Sequence, residues 1–247
     1  MKLNILGSGT CIPYERRGSS GYALRLSKST ILLDCGNGTT WKLGKVGINY
    51  LEVNHIFLSH FHPDHTADLI PFLFATKYAL VKRVKPLYIW GSRGFKRFFS
   101  VLNNAYNDWI QPDKLNIEEL DEGIMKFDDF TLISGKTLHI DSSLAYRIES
   151  EGKSIVYSGD TDYSESLVEL ARDSDCLIIE CSMPDKLKVK GHLTPTEVSK
   201  IANKSKAKRL IISHLYPICD ELDVIKVIRE QVDAETILAE DLLEVEI

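Results

Sequence analysis

Cysteine is scarce in this chain. The five that occur, Cys11, Cys35, Cys176, Cys181 and Cys219, are odd in number and form no Cys-x-x-Cys pair. A disulfide scaffold is therefore not expected, and the residues suit a reducing compartment in which they pack as small buried side chains. No apolar run approaches the roughly 20 residues that span a bilayer, so no membrane partner is expected. The opening Met1-Lys2-Leu3-Asn4-Ile5-Leu6 reads as a short strand with no signal-peptide core behind it, which points to the cytoplasm. Positive charge is not in excess either: 30 Lys and Arg stand against 35 Asp and Glu, a net charge of −5. With a pI of about 5.8, strong non-specific binding to nucleic acid is disfavoured. Three local basic stretches, Lys77–Lys85, Lys186–Lys190 and Lys200–Arg209, read as solvated faces, with a phosphate-facing rim as the alternative. No Pro-, Gly- or Ser-rich linker and no low-complexity tract divides the chain. Residues 1–247 are expected to form a single domain with a sizeable core.

What is present is a succession of short apolar segments bounded by Gly, Asp or Ser. Strands are predicted at Lys2–Leu6, Tyr22–Leu26, Thr30–Asp34, His55–Ser59, Pro86–Trp90, Phe130–His139, Ala145–Glu149, Ser154–Gly159, Cys176–Glu180, Arg209–Ser213 and Leu242–Ile247. Helical periodicity covers His65–Val81, Gly94–Trp109, Tyr163–Asp173, Thr194–Lys206 and Leu222–Val232. Thr194-Pro195-Thr196-Glu197 combines an N-cap, Pro at the first helical position and a capping-box Glu. Asp162 with Glu165 suggests a similar start for the helix at Tyr163. Two sheets packed face to face, with helices on both outer faces, accommodate these elements in one α+β unit. The order of the strands does not follow from the sequence.

Chemistry concentrates in Ser59-His60-Phe61-His62-Pro63-Asp64-His65. Of the seven histidines in the chain, three fall in this one turn, together with a carboxylate. Imidazole nitrogen and carboxylate oxygen are ligands that borderline divalent metals prefer. Further candidates stand at the ends of predicted strands, where loops gather side chains at a sheet edge: His139, Asp160 and His214. Any one alone is commonly a hydrogen-bonded cap; three in like settings, added to the histidine turn, are hard to attribute to capping.

Taken in this order, the histidine turn, His139, Gly159-Asp160-Thr161 and Ser213-His214 resemble the metallo-β-lactamase fold superfamily. The resemblance extends to Leu6-Gly7-Ser8-Gly9-Thr10, Ser19-Ser20-Gly21-Tyr22 and Leu33-Asp34-Cys35-Gly36, and covers nearly the whole chain. Within the superfamily the sequence is most similar to the ribonuclease Z group and its short phosphodiesterase relatives. The resemblance implies a four-layer αββα sandwich and two divalent ions, with Zn2+ favoured and Mn2+ as the alternative. His60, His62 and His139 would hold one ion; Asp64, His65 and His214 would hold the other, with Asp160 bridging. A hydroxide between the ions would attack phosphorus, and Asp64 would also hold its proton. Asp34 would orient a ligand through its far ring nitrogen; a carboxylate capping the turn at Cys35-Gly36 is the competing reading. His55 is assigned a structural role.

His192 matches the histidine of the short His-Ser-Thr-like segment of ribonuclease Z, with Leu193 in place of Ser. Glu180 matches its acidic partner, although Glu180-Cys181-Ser182 departs from the family's Glu-Ala-Thr. The pair would assist protonation of the departing oxygen; packing or capping of a turn is the plainer role for His192. Ribonuclease Z also carries a long tRNA-gripping arm between the counterparts of His139 and Asp160. Here little more than a hairpin, Ser142–Tyr157, joins them. The resemblance thus implies a small or cyclic phosphodiester, or another nucleotide, as substrate. RNA cleavage of the ribonuclease Z type is the alternative, and members of the group are often homodimers. Gly191-His192-Leu193-Thr194-Pro195 superficially resembles a segment of glyoxalase II-type thiolester hydrolases, but it follows Asp160 rather than preceding it, which demotes that activity. A low-turnover nucleotide- or metal-binding protein is the remaining rival.

Overall fold

Short runs of Ile, Leu and Val, each long enough to cross a sheet once, build two seven-stranded sheets in the computed structural model, which describes every residue from Met1 to Ile247. The first contains β1 (Lys2–Gly7), β2 (Gly21–Arg25), β3 (Thr30–Leu33), β4 (His55–Phe57), β5 (Leu87–Ser92) and β6 (Leu115–Leu120). The second contains β7 (Gly123–Lys126), β8 (Thr131–Lys136), β9 (Leu144–Ser150), β10 (Lys153–Tyr157), β11 (Cys176–Glu180), β12 (Arg209–Ser213) and β13 (Glu235–Leu238). A final strand, β14 (Glu244–Glu246), returns to the first sheet and pairs with β1. The orders are β14-β1-β2-β3-β4-β5-β6 and β13-β12-β11-β10-β9-β8-β7. In each sheet three antiparallel pairings give way to three parallel ones, at β3–β4 and at β10–β11. The two halves of the chain therefore repeat one pairing scheme.

The sheets face each other across a core that includes Leu3, Tyr22, Leu33 and Phe57 from one and Leu132, Tyr146, Ile178 and Ile211 from the other. The outer face of the first sheet is covered by α1 (Thr39–Lys45), α2 (Pro63–Thr66), α3 (Leu69–Lys77) and α4 (Phe95–Tyr106), through Leu43, Leu69, Phe72 and Phe95 among others. The outer face of the second is covered by α5 (Glu165–Leu170), α6 (Pro195–Ser205), α7 (Pro217–Glu221) and α8 (Val224–Arg229), through residues such as Leu167, Val198, Ile201 and Ile228. This is the expected αββα layering. No helix is long and apolar enough to cross a membrane.

Several expectations need correction. The strands β6, β7 and β13 and the helices α1 and α7 were not foreseen. All three strands lie at sheet edges, where a half-exposed segment such as Gly123–Lys126 lacks the buried apolar run that marks a central strand. The helix expected over His65–Val81 is two pieces, α2 and α3. Asp162 does not cap α5: Ser164 does, accepting from the Leu167 N–H at 3.1 Å. The capping box of α6 is present, with the Thr194 N–H donating to Glu197 Oε2 at 3.0 Å. Strand β8 ends at Lys136, so His139 stands on the loop beyond it. Four cysteines are buried as expected, but Cys11 is exposed.

Candidate metal centre

Eight of the functional candidates, on five segments, follow directly from the parallel strands, whose C-terminal ends open onto one edge of the sandwich. Asp34 follows β3, the histidine turn follows β4, Asp160 follows β10, Glu180 closes β11 and His214 follows β12. The backbone is bent sharply at three of these exits: Asp34 (φ 59°), Gly159 (φ 55°) and His214 (φ 55°) are left-handed. For the two non-glycine residues that conformation costs of order 1 kcal/mol or more, which the surrounding bonds must offset. Glycine is needed at 159 for a second reason: a Cβ there would lie 2.8 Å from Cβ of Ser59. The loop bearing His139 is tied to the Asp160 segment by Thr137 Oγ1 donating to the Asp160 carbonyl (2.9 Å) and by the Leu138 N–H donating to Thr161 Oγ1 (3.1 Å).

The seven candidate ligands converge as two groups. In the first, His62 Nδ1 lies 3.0 Å from His60 Nε2 and 3.2 Å from His139 Nε2, and Asp160 Oδ2 lies 3.7 and 3.8 Å from the same two Nε2 atoms. In the second, Asp64 Oδ2 is 3.7 Å from His65 Nε2 and 3.6 Å from His214 Nε2. Asp160 reaches this group too, with Oδ2 3.4 Å from His65 Nε2 and Oδ1 3.3 Å from His214 Nε2. A tetrahedron of ligands about 2.0–2.1 Å from zinc has edges of about 3.3 Å. The donor separations fit that figure, and one carboxylate is shared by both groups.

Apart from that of His62, the far ring nitrogens of the candidate histidines are engaged. His65 Nδ1 donates to Asp34 Oδ2 at 2.6 Å, and His60 Nδ1 donates at 3.0 Å to Ser59 Oγ, which donates in turn to Asp34 Oδ2 at 2.7 Å. Across the site, His192 Nδ1 donates to Glu180 Oε1 at 3.1 Å, and His214 Nδ1 donates at 2.9 Å to Ser182 Oγ, which donates to Glu180 Oε2 at 2.6 Å. Each sheet thus supplies one buried carboxylate that holds one imidazole directly and a second through a serine. His139 Nδ1 completes the set by donating to the Gly191 carbonyl at 3.0 Å. In His60, His65, His139 and His214 these bonds place a proton on Nδ1 and turn Nε2 toward the centre. Asp34 additionally accepts from the Ser59 N–H and from Tyr157 OH, both at 2.6 Å, so its contacts extend beyond the turn to the candidate ligand His65.

Ser59, Ser182 and Tyr157 escaped the sequence reading. Ser182 had a legible signal, standing two residues after Glu180 with both carboxylate and hydroxyl needing partners; Tyr157 had none. The basic stretch Lys186–Lys190 is not simply a solvated face, because Lys188 Nζ donates to Asp162 Oδ1 at 2.7 Å and also bonds Glu197 and the His192 carbonyl. His55 lies away from the centre, its ring stacked on Phe57 and Tyr88 at the far end of β4.

Electrostatics and orphaned atoms agree on a cation. Burial pushes His60 down to about 2 and lowers His139, so both rings are neutral with lone pairs available. Burial opposes ionisation of Asp64 and Asp160, but the flanking histidines outweigh it, bringing Asp64 to about 2 and Asp160 well below the usual carboxylate range. Burial likewise opposes a charged His65, yet Asp160 and Asp34 raise it well above the ordinary histidine value, as positive charge at that point would be welcome. His65 Nε2, His214 Nε2 and Asp160 Oδ1 are buried without any hydrogen-bond partner. Unsatisfied buried polar atoms are costly, and divalent ions at the two groups satisfy all three. The residues fit such ions.

Comparison with known proteins places this architecture. The profile of a family described as anti-Pycsar protein Apyc1 matches residues 1–222. The chain belongs to that family. This family member is similar to the probable metallo-hydrolase YhfI of Bacillus subtilis, at 30% identity over 224 residues and 87% of either chain. The crystal structure of YhfI, a metallo-β-lactamase fold protein, matches with a TM-score of 0.88 at 24% identity, over 99% of this chain and 98% of the other. Ribonuclease Z of Methanothermobacter thermautotrophicus is 26% identical over 300 residues, covering 100% of this chain and 97% of the relative. Human short-form tRNase Z matches with a TM-score of 0.80 at 25% identity, over 100% and 99% of the two chains. The anti-Pycsar family member described here is accordingly a metal-dependent hydrolase of the metallo-β-lactamase fold.

Proposed function

We propose that this hydrolase is a phosphodiesterase that cleaves small or cyclic phosphodiesters at a two-metal site. The observation that carries the reading is Asp160, shared by two ligand groups, with the His192–Glu180 pair beside it (His192 Nδ1 is 4.0 Å from Asp160 Oδ2). His60, His62, His139 and Asp160 would hold one divalent ion, and Asp64, His65, His214 and Asp160 the other. Five imidazoles favour zinc, and the carboxylate oxygens keep manganese as the alternative. Such ions supply an activated water near neutral pH and positive charge for the phosphoryl oxygens.

The remaining chemistry belongs to side chains. The ionised Asp64 carboxylate accepts the proton of the attacking water. Burial opposes charge on His192, but its bond to Glu180 outweighs that and raises its pKa. That bond favours the charged ring, with Glu180 fixing Nδ1 and leaving Nε2 directed at the departing oxygen. A positioned acid of this kind contributes about 10²–10⁴-fold.

Beside the centre, an open cleft of about 860 Å³ runs along His139, Leu138, Ile140 and Gly191, with Lys136 and Lys190 on its walls. That size suits a mononucleotide. A ribonuclease Z activity on tRNA 3′ ends has the relatives' names in its favour. Against it, the alignment with ribonuclease Z runs over 300 positions although this chain has 247 residues, so more than fifty positions of the relative have no counterpart here. Strands β9 and β10 form the only connection from the His139 loop to Asp160. The test compares kcat/KM of the metal-reconstituted protein on cyclic nucleotides, dinucleotides and a 3′-extended tRNA. Small diesters are expected to be preferred at least tenfold. Efficient single-site cleavage of the tRNA with poor activity on small diesters would establish the other reading.

A further inference from the structure

At the opposite end of β4 from the histidine turn, His55, Tyr88, Trp90 and Phe127 line a second cavity, of about 790 Å³. Its wall is a ladder of cross-strand pairs, His55 with Tyr88 and Phe57 with Trp90. The rings run nearly parallel: 14° and 5.5 Å for His55–Tyr88, and 19° and 5.9 Å for Tyr88–Trp90. Phe57 is sealed in the core, Trp90 is buried but borders the cavity, and Tyr88 is half-buried.

One polar atom in this apolar wall has no partner. His55 is 9% exposed, and Trp90 Nε1 donates to its Nδ1 at 3.2 Å. Indole nitrogen is only ever a donor, so Nδ1 carries the lone pair. Burial brings His55 down to about 4, so the ring is neutral and its proton sits on Nε2. That N–H bonds nothing in the protein, and the ring borders the cavity. Around the rim stand Lys28, Lys85 and Lys126 with Asp128, and the Asp129 carboxylate is tied up by the Lys28 and Ser29 N–H groups and Ser29 Oγ behind them. Lys85 Nζ donates to the Lys28 carbonyl at 2.7 Å, while the ammonium groups of Lys28 and Lys126 enter no ion pair.

We infer that this cavity is a second ligand site, separate from the hydrolytic centre, for a planar heteroaromatic anion of mononucleotide size. The ring of the ligand continues the parallel stack from Tyr88, a ring nitrogen or carbonyl accepts from His55 Nε2–H, and the anionic group meets Lys28 and Lys126. Stacking alone would admit any apolar ring, and lysines alone any anion. The His55 N–H on the cavity wall between them selects a ring that carries an acceptor. Nothing in this inference depends on which diester the centre cleaves.

Calorimetric titration of the metal-loaded protein with 5′-AMP and 5′-CMP tests it. Two binding events per chain are expected, only one of which is displaced by substrate. His55→Phe keeps a ring and removes the donor, and Lys126→Ala removes one ammonium group. Each should weaken the substrate-insensitive event at least tenfold and leave diester hydrolysis unchanged. Ribose 5-phosphate, which lacks the ring, should bind that site at least tenfold more weakly than 5′-AMP. The absence of a second event at millimolar nucleotide overturns the assignment, as does a second event that Lys126→Ala leaves unaltered. Equal binding of ribose 5-phosphate overturns the stacking ring.

Discussion

Asp34 gathers four hydrogen bonds while held at a positive φ, and removing it tests how much a side chain that touches no substrate controls the centre. Asp34→Ala frees the rings of His65 and His60 to turn, and outer partners of this kind typically govern metal affinity by about 10–100-fold. Titration against a chelator of known affinity should show a loss of that size; unchanged affinity would show that the turn alone positions the histidines. His192→Ala makes the complementary prediction. It should retain both ions but lose about 10²–10⁴-fold in turnover on an alkyl leaving group, and far less on nitrophenolate, which departs without a proton. Equal losses on both leaving groups, or loss of metal, would contradict the assigned role.

Among the elements, the loop between β1 and β2 is bound to α7 by Arg17, whose Nη2 lies 2.6 Å from Asp220 Oδ1 with both side chains almost fully buried. Arg17 Nη1 also donates to Ser8 Oγ at 2.9 Å and bonds the Ala239 carbonyl. Because α7 begins three residues after His214, this pair braces one wall of the centre. Arg17→Ala leaves a largely buried carboxylate with only the more distant Arg16, at 3.9 Å, as cationic partner and should cost about 3 kcal/mol in denaturant unfolding. Burial opposes ionisation of Asp220, but Arg17 outweighs it and holds the carboxyl below its usual range. The stability this pair contributes is therefore complete above the ordinary aspartate value of about 3.9. It is lost as pH falls through the lower folded-state value, and the acid limb of the stability profile should be shallower in Arg17→Ala.

Neither Arg17 nor Asp220 stood out in the sequence, since a buried pair separated by 203 positions leaves no local pattern. Central strands were legible because both faces are buried and the apolar run is continuous, as in Leu177–Ile179. Edge strands such as β6 and β13 were not, because most of their residues are only partly buried and no continuous buried run marks them. The candidate ligands were legible because His60, His62, Asp64 and His65 are close neighbours in the chain, Asp160 and His214 follow central strands, and His139 stands just past the end of β8. The serine relays were not, because serine occurs throughout the chain and only the fold shows which hydroxyl lies between a carboxylate and an imidazole.

Over the whole molecule, one inter-sheet core joins the first half of the chain to the second, and β14 carries the C-terminal segment back to β1. We propose that residues 1–247 unfold as a single cooperative unit. Calorimetry of the metal-loaded protein should give one transition, and two resolved transitions would contradict it. Ions bound only by the folded state stabilise it by about 4 kcal/mol when free metal is 1,000 times Kd, so chelation should lower Tm without splitting the transition.

The central claim is that one carboxylate, Asp160, joins two metal sites into one hydrolytic centre. Its most direct test is elemental analysis of purified wild-type protein and Asp160→Ala, with folding checked by circular dichroism. The account predicts about two divalent ions per chain in the wild type. The folded variant should retain less than one, with hydrolysis falling in step. A wild-type protein that hydrolyses diesters with no metal bound, or an Asp160→Ala variant that keeps both ions and full activity, would contradict it.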